Sequence, residues 1–199
     1  MQQTHNRSTA LAAVVLIVGS LLVWPTASRA QTVTGQARAV QATVLGQTTV
    51  LADTGTLAGP SDARDASQLT GSVPSVLTGE VLHAVTIGGP DQVDSEASLA
   101  GLGLTVGATT VSADFVIARA SAALGAAASG SSDISNLTIN GLPIVVTGQA
   151  NQTISIPGGQ VVINEQTISP SGTAVTNALH VTVNGVADVV IATATAGIS

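Results

Sequence analysis

The chain has 199 residues and a formal net charge of −6, because five basic residues oppose 11 acidic ones. It has no cysteine, so neither disulfide cross-links nor thiolate metal sites are expected. Binding to a nucleic-acid backbone requires clustered Lys or Arg, and the arginines here are scattered singly, so nucleic acid is not an expected partner.

The first 30 residues have the pattern of a secretory signal helix. Arg7 supplies the positive n-region, Ala10 to Trp24 is apolar or small, and Ser28 and Ala30 occupy the positions that signal peptidase reads. A transmembrane anchor is the alternative, but the run falls short of the roughly 20 residues that span a bilayer. We therefore predict a signal peptide at residues 1–30, a single exported domain at residues 31–199, and no stable membrane span after cleavage.

The predicted mature chain must build its core from Val, Ile, Leu and Ala, since Phe115 is its only aromatic residue. It has no lysine, a feature for which we have no physical account, and three arginines oppose 11 acidic residues. Dense Val, Ile and Thr, interrupted by Gly and Asn-Gly, predicts short strands throughout. We predict an all-β fold, specifically an antiparallel β-sandwich-like single domain.

Three segments in the middle of the chain carry separate predictions. Ala58 to Glu80 is rich in Asp, Ser, Gly and Pro and predicts a loop with one short helical turn. Val111 to Ala118 alternates with period two and predicts a half-buried strand, with Phe115 and Ile117 on the same face as Val111. Ser121 to Asp133 is rich in small residues and predicts a linker between strands.

An acidic segment, Gly88 to Ser98, brings Asp91, Asp94 and Glu96 close together in sequence after a Gly-Gly-Pro break. Carboxylates at close spacing on a loop are the ligands that extracellular Ca²⁺ sites use. The spacing does not match an EF-hand, and a solvated acidic loop is the alternative reading. These residues are the sequence's candidate metal ligands, and no other cofactor is expected.

The C-terminal part predicts successive hairpins. Leu137 to Val146 and Val181 to Val190 each read as strand, Asn-Gly and strand, and Asn-Gly favours a two-residue turn with positive φ at both residues. Further turns are expected at Pro157 to Gln160 and at Ser169 to Gly172. From Asn136 onward the pattern predicts an antiparallel meander or a Greek key.

Glu165 and His180 are the best candidates for chemistry, and the predicted hairpin keeps them apart. A hairpin centred on Ser171 pairs Ile163 with Leu179 and Glu165 with Asn177. With strict alternation, His180 then points to the opposite face from Glu165, which predicts that the two form no catalytic dyad.

Three segments, "NLTINGLPIVV", "NQTISIPGGQVVINEQ" and "TNALHVTVNGVADVVIATATAGI", in that order, resemble the bacterial choice-of-anchor P proteins. The most distinctive residues of the resemblance are Asn164, Glu165, Gln166, Asn177 and His180. The resemblance implies an exported, cell-surface or secreted protein without an established catalytic activity, and it implies no catalytic residues. No Leu-Pro-x-Thr-Gly sorting signal follows "ATATAGIS" in this sequence, so covalent anchoring through such a signal is not expected.

Three function classes follow from these observations. The favoured one is an exported, non-catalytic structural or interaction protein that self-associates or binds cell-envelope components. The second is a soluble extracellular binding module for Ca²⁺ or a glycan, although a single aromatic residue leaves little for stacking on a sugar. The third is a secreted hydrolase that uses Glu165 and His180.

Overall fold

The computed structural model describes residues 31–199, and the predicted signal helix at residues 1–30 lies outside them. The described chain consists of strands joined by short turns and loops. The first seven strands are β1 (Val33–Val44), β2 (Gln47–Asp53), β3 (Ala63–Val73), β4 (Leu77–Gly88), β5 (Gln92–Val106), β6 (Thr109–Ala123) and β7 (Ser129–Ser135). The remaining six are β8 (Thr138–Ile139), β9 (Leu142–Pro143), β10 (Gln152–Ile156), β11 (Gly159–Ile168), β12 (Thr173–Val183) and β13 (Ala187–Ile198).

The strands form two antiparallel sheets that pack face to face. Sheet A has the order β10-β11-β12-β13-β1-β2, and sheet B has the order β3-β4-β5-β6-β8-β9, with β7 also paired to β6. Strand β1 lies beside β13, so that Val33 pairs with Ile198 across the sheet. The predicted all-β, antiparallel β-sandwich-like fold is confirmed. Strands β10 to β13 are a meander, whereas the β8-β9 hairpin belongs to the other sheet.

The core lies between the inner faces of the two sheets and is aliphatic, as the composition predicts. Leu82, Leu99, Leu179 and Ile191 are fully buried, and many of the remaining inner positions are alanine. Each fully buried Leu or Ile contributes about 1.5–3 kcal/mol relative to an exposed one. Glycine permits the closest approach between sheets, since a Cβ on Gly130 would lie 1.8 Å from the Thr176 hydroxyl oxygen.

A row of left-handed residues crosses sheet A. Asn164 on β11, Ala192 on β13 and Ala52 on β2 have φ of 53°, 54° and 47°. They lie opposite Ala178 on β12 and Ala39 on β1, at the positions where the pairing skips one residue. At this row two consecutive residues of a strand face inward, as Ile191 and Ala192 do, and the inside-outside alternation changes phase.

Sheet B has a corresponding row of left-handed residues, but at this row the paired side chains face solvent and not the core. Val81 on β4, Gly101 on β5 and Asn136 have φ of 47°, 58° and 54°. Here two consecutive residues face outward, as Asp114 and Phe115 do on β6. The prediction that Phe115 and Ile117 share the inner face of Val111 is therefore wrong, because Val116 and Ala118 belong to the core between the sheets whereas Ile117, although buried, does not.

Two predicted loops are strands. Ala58 to Glu80 contains all of β3 and the start of β4, joined by a turn around Ser75, and no helical turn. Strand β3 lies at the sheet edge and most of its residues are exposed, so Asp, Ser and Gln are tolerated there. Ser121 to Asp133 belongs largely to β6 and β7, and only a short turn separates them. Alanine, glycine and serine are accommodated because β6 and β7 pack closely against sheet A.

The two Asn-Gly sequences form different turns. Asn140 and Gly141 both have positive φ, and the two-residue hairpin predicted there is confirmed. At the second, only Gly185 has positive φ, and Val183 pairs with Ala187 across a three-residue loop. The two-residue turn predicted for that position is wrong. Among residues 31–199 there is no helix of the length and apolarity that a membrane crossing requires.

Candidate functional site

Glu165, Asn177 and His180 form a hydrogen-bonded cluster on the outer face of sheet A. The Asn177 amide donates to Glu165 Oε2 at 2.6 Å, and His180 Nδ1 lies 3.0 Å from the same oxygen. Thr193 on β13 donates its hydroxyl to Asn177 Oδ1 at 2.8 Å, which fixes the orientation of the amide. Each side chain therefore has a partner that limits its rotation.

His180 lies between two carboxylates. Its Nε2 is 3.3 Å from Asp188 Oδ1, so Glu165 and Asp188 flank opposite nitrogens of one ring. Burial of the imidazole acts to lower its pKa, but the hydrogen bond and charge of Glu165, followed by those of Asp188, outweigh it. The pKa of His180 is raised above its ordinary value of 6.5.

The predicted separation of Glu165 and His180 is wrong, although the predicted register is confirmed. Ile163 pairs with Leu179 and Glu165 pairs with Asn177, as expected. The error is the assumption of strict alternation. Ala178 and Leu179 both face inward, so Asn177 and His180, three positions apart, both face outward. The imidazole then reaches diagonally to the carboxylate opposite Asn177.

Asn164 and Gln166 have structural contacts. Asn164 is 3% exposed, and its amide donates to the Gly148 carbonyl at 3.1 Å. The Gln166 amide donates to Asn164 Oδ1 at 2.9 Å, and the Asn164 carbonyl accepts from the Asn151 N–H. Asn tolerates the left-handed conformation better than other non-glycine residues, which explains its place in the row. These contacts hold the chain before β10 against β11.

The cluster can hold a proton on His180. Asp188 Oδ1, at 3.3 Å, and the Thr182 hydroxyl oxygen, at 3.4 Å, both lie against Nε2 of the ring. The hydrolase hypothesis stays a prediction. The arrangement stabilises a protonated imidazole between two carboxylates, which is an electrostatic contact between β11, β12 and β13.

The predicted metal ligands are spread along a turn and a strand. Asp91 lies in the turn between β4 and β5, and Asp94 and Glu96 lie two positions apart on β5. Glu96 Oε2 is 2.7 Å from Arg119 Nε, and Asp94 Oδ2 accepts a hydrogen bond from Gln92. Over residues 31–199, no group of three or more His, Asp or Glu is arranged to hold a metal ion. The Ca²⁺ hypothesis stays a prediction.

Asp94 and Glu96 instead contribute to a groove that the sequence reasoning missed. This β4–β7 groove has a volume of about 360 Å³ on the outer face of sheet B. It is lined by two rows of paired residues, Ile87, Asp94, Ser121 and Ser129 in one and Val85, Glu96, Arg119 and Ser131 in the other. The serines lie in Ser121 to Asp133, the segment that was predicted to be a linker. Their place in the groove follows only once β6 and β7 are recognised as paired strands.

The comparisons with known proteins found no match for this chain, whether with family models, curated proteins or solved structures. The resemblance to choice-of-anchor P proteins therefore stays a prediction from the three C-terminal segments.

Proposed function

We propose that the protein is exported after cleavage of a signal peptide at residues 1–30 and acts as a non-catalytic structural protein of the cell surface. In this proposal, copies of the mature chain associate through the free edge of strand β3. The signal-like pattern of the first 30 residues supports export, and the β3 edge supports the mode of association.

Strand β3 is the longest strand at an edge of either sheet, with 11 residues from Ala63 to Val73. One of its edges pairs with β4, and the other receives no strand among the described residues. Natural edge strands are commonly protected by lysine, proline or a charge. From Ala66 to Val73 this strand has none of these, so its free N–H and C=O groups can pair with a strand of a second copy.

An exposed apolar row leads to this edge. Leu69 on β3 is 83% exposed, Val81 on β4 is 59% exposed and Phe115 on β6 is 38% exposed. Leu69 and Val81 are opposite each other at the left-handed row of sheet B. Antiparallel pairing of two β3 edges about a two-fold axis extends this row from one copy into the next and covers Leu69. A second copy is therefore the occupant that the edge favours.

Net charge opposes the association. The mature chain carries 11 acidic residues and three arginines, so two copies repel each other at low ionic strength. The β3 segment from Ala66 to Val73 is uncharged, and salt screens the repulsion without weakening backbone hydrogen bonds. Association should therefore strengthen with added salt.

The test compares sedimentation of the processed protein with that of a Leu69→Lys variant, across concentration and ionic strength. A two-fold interface contains the new charge twice, and we expect association to weaken by about tenfold or more. The matched control is Val145→Lys, since Val145 is 80% exposed and lies outside β3. Equal effects of the two substitutions, or a wild type that stays monomeric in high salt, would contradict the proposal.

Export is tested separately, by fractionating the producing cell and measuring the intact mass in each fraction. The mature chain has neither Trp nor Tyr, so detection by mass is more suitable than absorbance. We expect a Gln31-to-Ser199 species in the envelope or in sedimenting material. A mass that begins at Met1 would overturn the export proposal, and a free monomer in the medium would overturn the structural role.

A further inference from the structure

The β4–β7 groove has the form of a ligand site, and its occupant follows from its charge and its lining. All of its lining residues belong to one chain, so the groove is complete in a single copy. The groove therefore does not depend on the self-association proposed above.

Charge in and beside the groove is negative. Asp94, Glu96 and the neighbouring Asp133 are opposed by Arg119 alone. Arg119 Nε lies 2.7 Å from Glu96 and its Nη1 lies 3.3 Å from Asp133, so its single positive charge is already shared by two carboxylates. Asp94 has no ion pair among residues 31–199, and its Oδ1 accepts no hydrogen bond from them. Asp94 thus lines the groove as a carboxylate with one free oxygen and with no partner charge among the described residues.

The surroundings of Asp94 are polar on one side and apolar on the other. Ser121 lies opposite Asp94 on β6, and Ser129 lies opposite Ser121 on β7. On the other side, Ile87 lies opposite Asp94 on β4, with Val85 two positions earlier. Ile87 is 52% exposed, so its side chain is accessible to a ligand. Hydroxyl and carboxylate oxygens accept hydrogen bonds from an ammonium group, and Val85 and Ile87 can cover methylene groups.

We propose that the groove binds a ligand that carries a primary ammonium group on an aliphatic chain. The ammonium lies against Asp94 and donates to its free Oδ1 and to the hydroxyl of Ser121 on the adjacent strand, and Ser129 borders the same end of the groove. The methylene chain lies along Val85 and Ile87. The acidic surface of the mature chain raises the local concentration of such a cation.

The probe is 1,5-diaminopentane, added to the ¹⁵N-labelled processed protein while amide resonances are followed by NMR. We expect saturable shifts at Ile87, Asp94, Ser121 and Ser129. The uncharged 1-pentanol has the same carbon chain, and at equal concentration it should leave these resonances unmoved. Shifts that spread over the acidic surface without saturating would contradict the proposal and indicate a counter-ion atmosphere only.

Two substitutions distinguish binding in the groove from attraction of the diamine to the acidic surface as a whole. Asp94→Asn should weaken the affinity for 1,5-diaminopentane by about fivefold, the effect of one partly exposed ion pair. Glu80→Gln removes an exposed charge from the same outer face, outside the groove, and should leave the affinity unchanged. Equal weakening by both variants would overturn the assignment. Saturable shifts at the same residues with maltose, and none with the diamine, would also overturn it and assign a polyol.

Discussion

Both sheets contain a row of left-handed residues, but two consecutive side chains face inward at the row of sheet A and outward at the row of sheet B. In sheet A the left-handed residues, such as Ala192, coincide with two consecutive inward residues on each strand. In sheet B the left-handed residues, such as Val81, coincide with two consecutive outward residues. Alanine occupies one position of the inward pair in β1, β2, β12 and β13, and Asn164 does so in β11. The outward pairs leave Leu69, Val81 and Phe115 in solvent.

Because of this difference, the outer faces of the two sheets carry different kinds of side chain. On sheet A the phase change brings Asn177 and His180 to the same outer face and closes the polar cluster around Glu165. On sheet B it produces an apolar row that reaches the edge of β3 at which no strand of residues 31–199 pairs. One backbone feature thus yields a polar cluster on the outer face of one sheet and an exposed apolar row on the outer face of the other.

The largest expected effect is at Ala192, where the left-handed backbone is buried. Ala192→Val adds a β-branched side chain at φ 54° and overfills the core, and should destabilise the protein by about 3 kcal/mol. Ala194→Val is the matched control, because Ala194 is buried on the same strand without a positive φ. The control should cost less than half as much by chemical denaturation. Equal losses would show that volume alone matters and that the left-handed row carries no strain.

In sheet B the corresponding substitution should have the opposite sign. Val81 is a β-branched residue at φ 47° and is 59% exposed, so Val81→Gly relieves strain without leaving a cavity. After the entropic cost of glycine, we expect a gain of about 1 kcal/mol in the free energy of unfolding. Val50→Gly, at an exposed strand position without positive φ, should destabilise the protein instead. If Val81→Gly lowered the free energy of unfolding as much as Val50→Gly, the left-handed backbone at Val81 would carry no strain.

The smallest expected effect is on the pH dependence of the stability that the cluster of Glu165, Asn177 and His180 contributes. Because the pKa of His180 is raised on folding, its stabilisation is fully present below the ordinary value of 6.5 and is lost as pH rises through the folded pKa. Glu165→Gln removes one flanking carboxylate, and it should lower the pKa of His180 and flatten this loss. Imidazole resonances followed by NMR against pH report the pKa directly.

Glu80→Gln, on the other sheet, is the control for this experiment and should leave the titration of His180 unchanged. A wild-type His180 that titrates at or below 6.5 would show that the carboxylates do not outweigh burial. In that case the cluster would not act as an electrostatic contact between the strands of sheet A.

Local sequence pattern predicted the strand-rich fold and the pairing of β11 with β12, because apolar density and turn residues are local signals. The face of the sheet on which each side chain lies was not predictable from these local signals. The phase change at the left-handed row appears in the sequence only as an apolar pair such as Ala178-Leu179, and any buried strand can contain such a pair. The groove was missed for a related reason, since Ser121 and Ser129 become neighbours only after β6 and β7 pair.

The central claim is that copies associate through the β3 edge, and a single cysteine tests it most directly. The natural chain has no cysteine, so one introduced thiol reports only its own proximity to a second copy. Leu69→Cys lies on β3, and Ser155→Cys lies on β10, which is one of the two edge strands of sheet A. After mild oxidation, we expect a covalent dimer by intact mass for Leu69→Cys and monomer for Ser155→Cys. Dimers in equal yield from both variants, or from neither, would contradict the account.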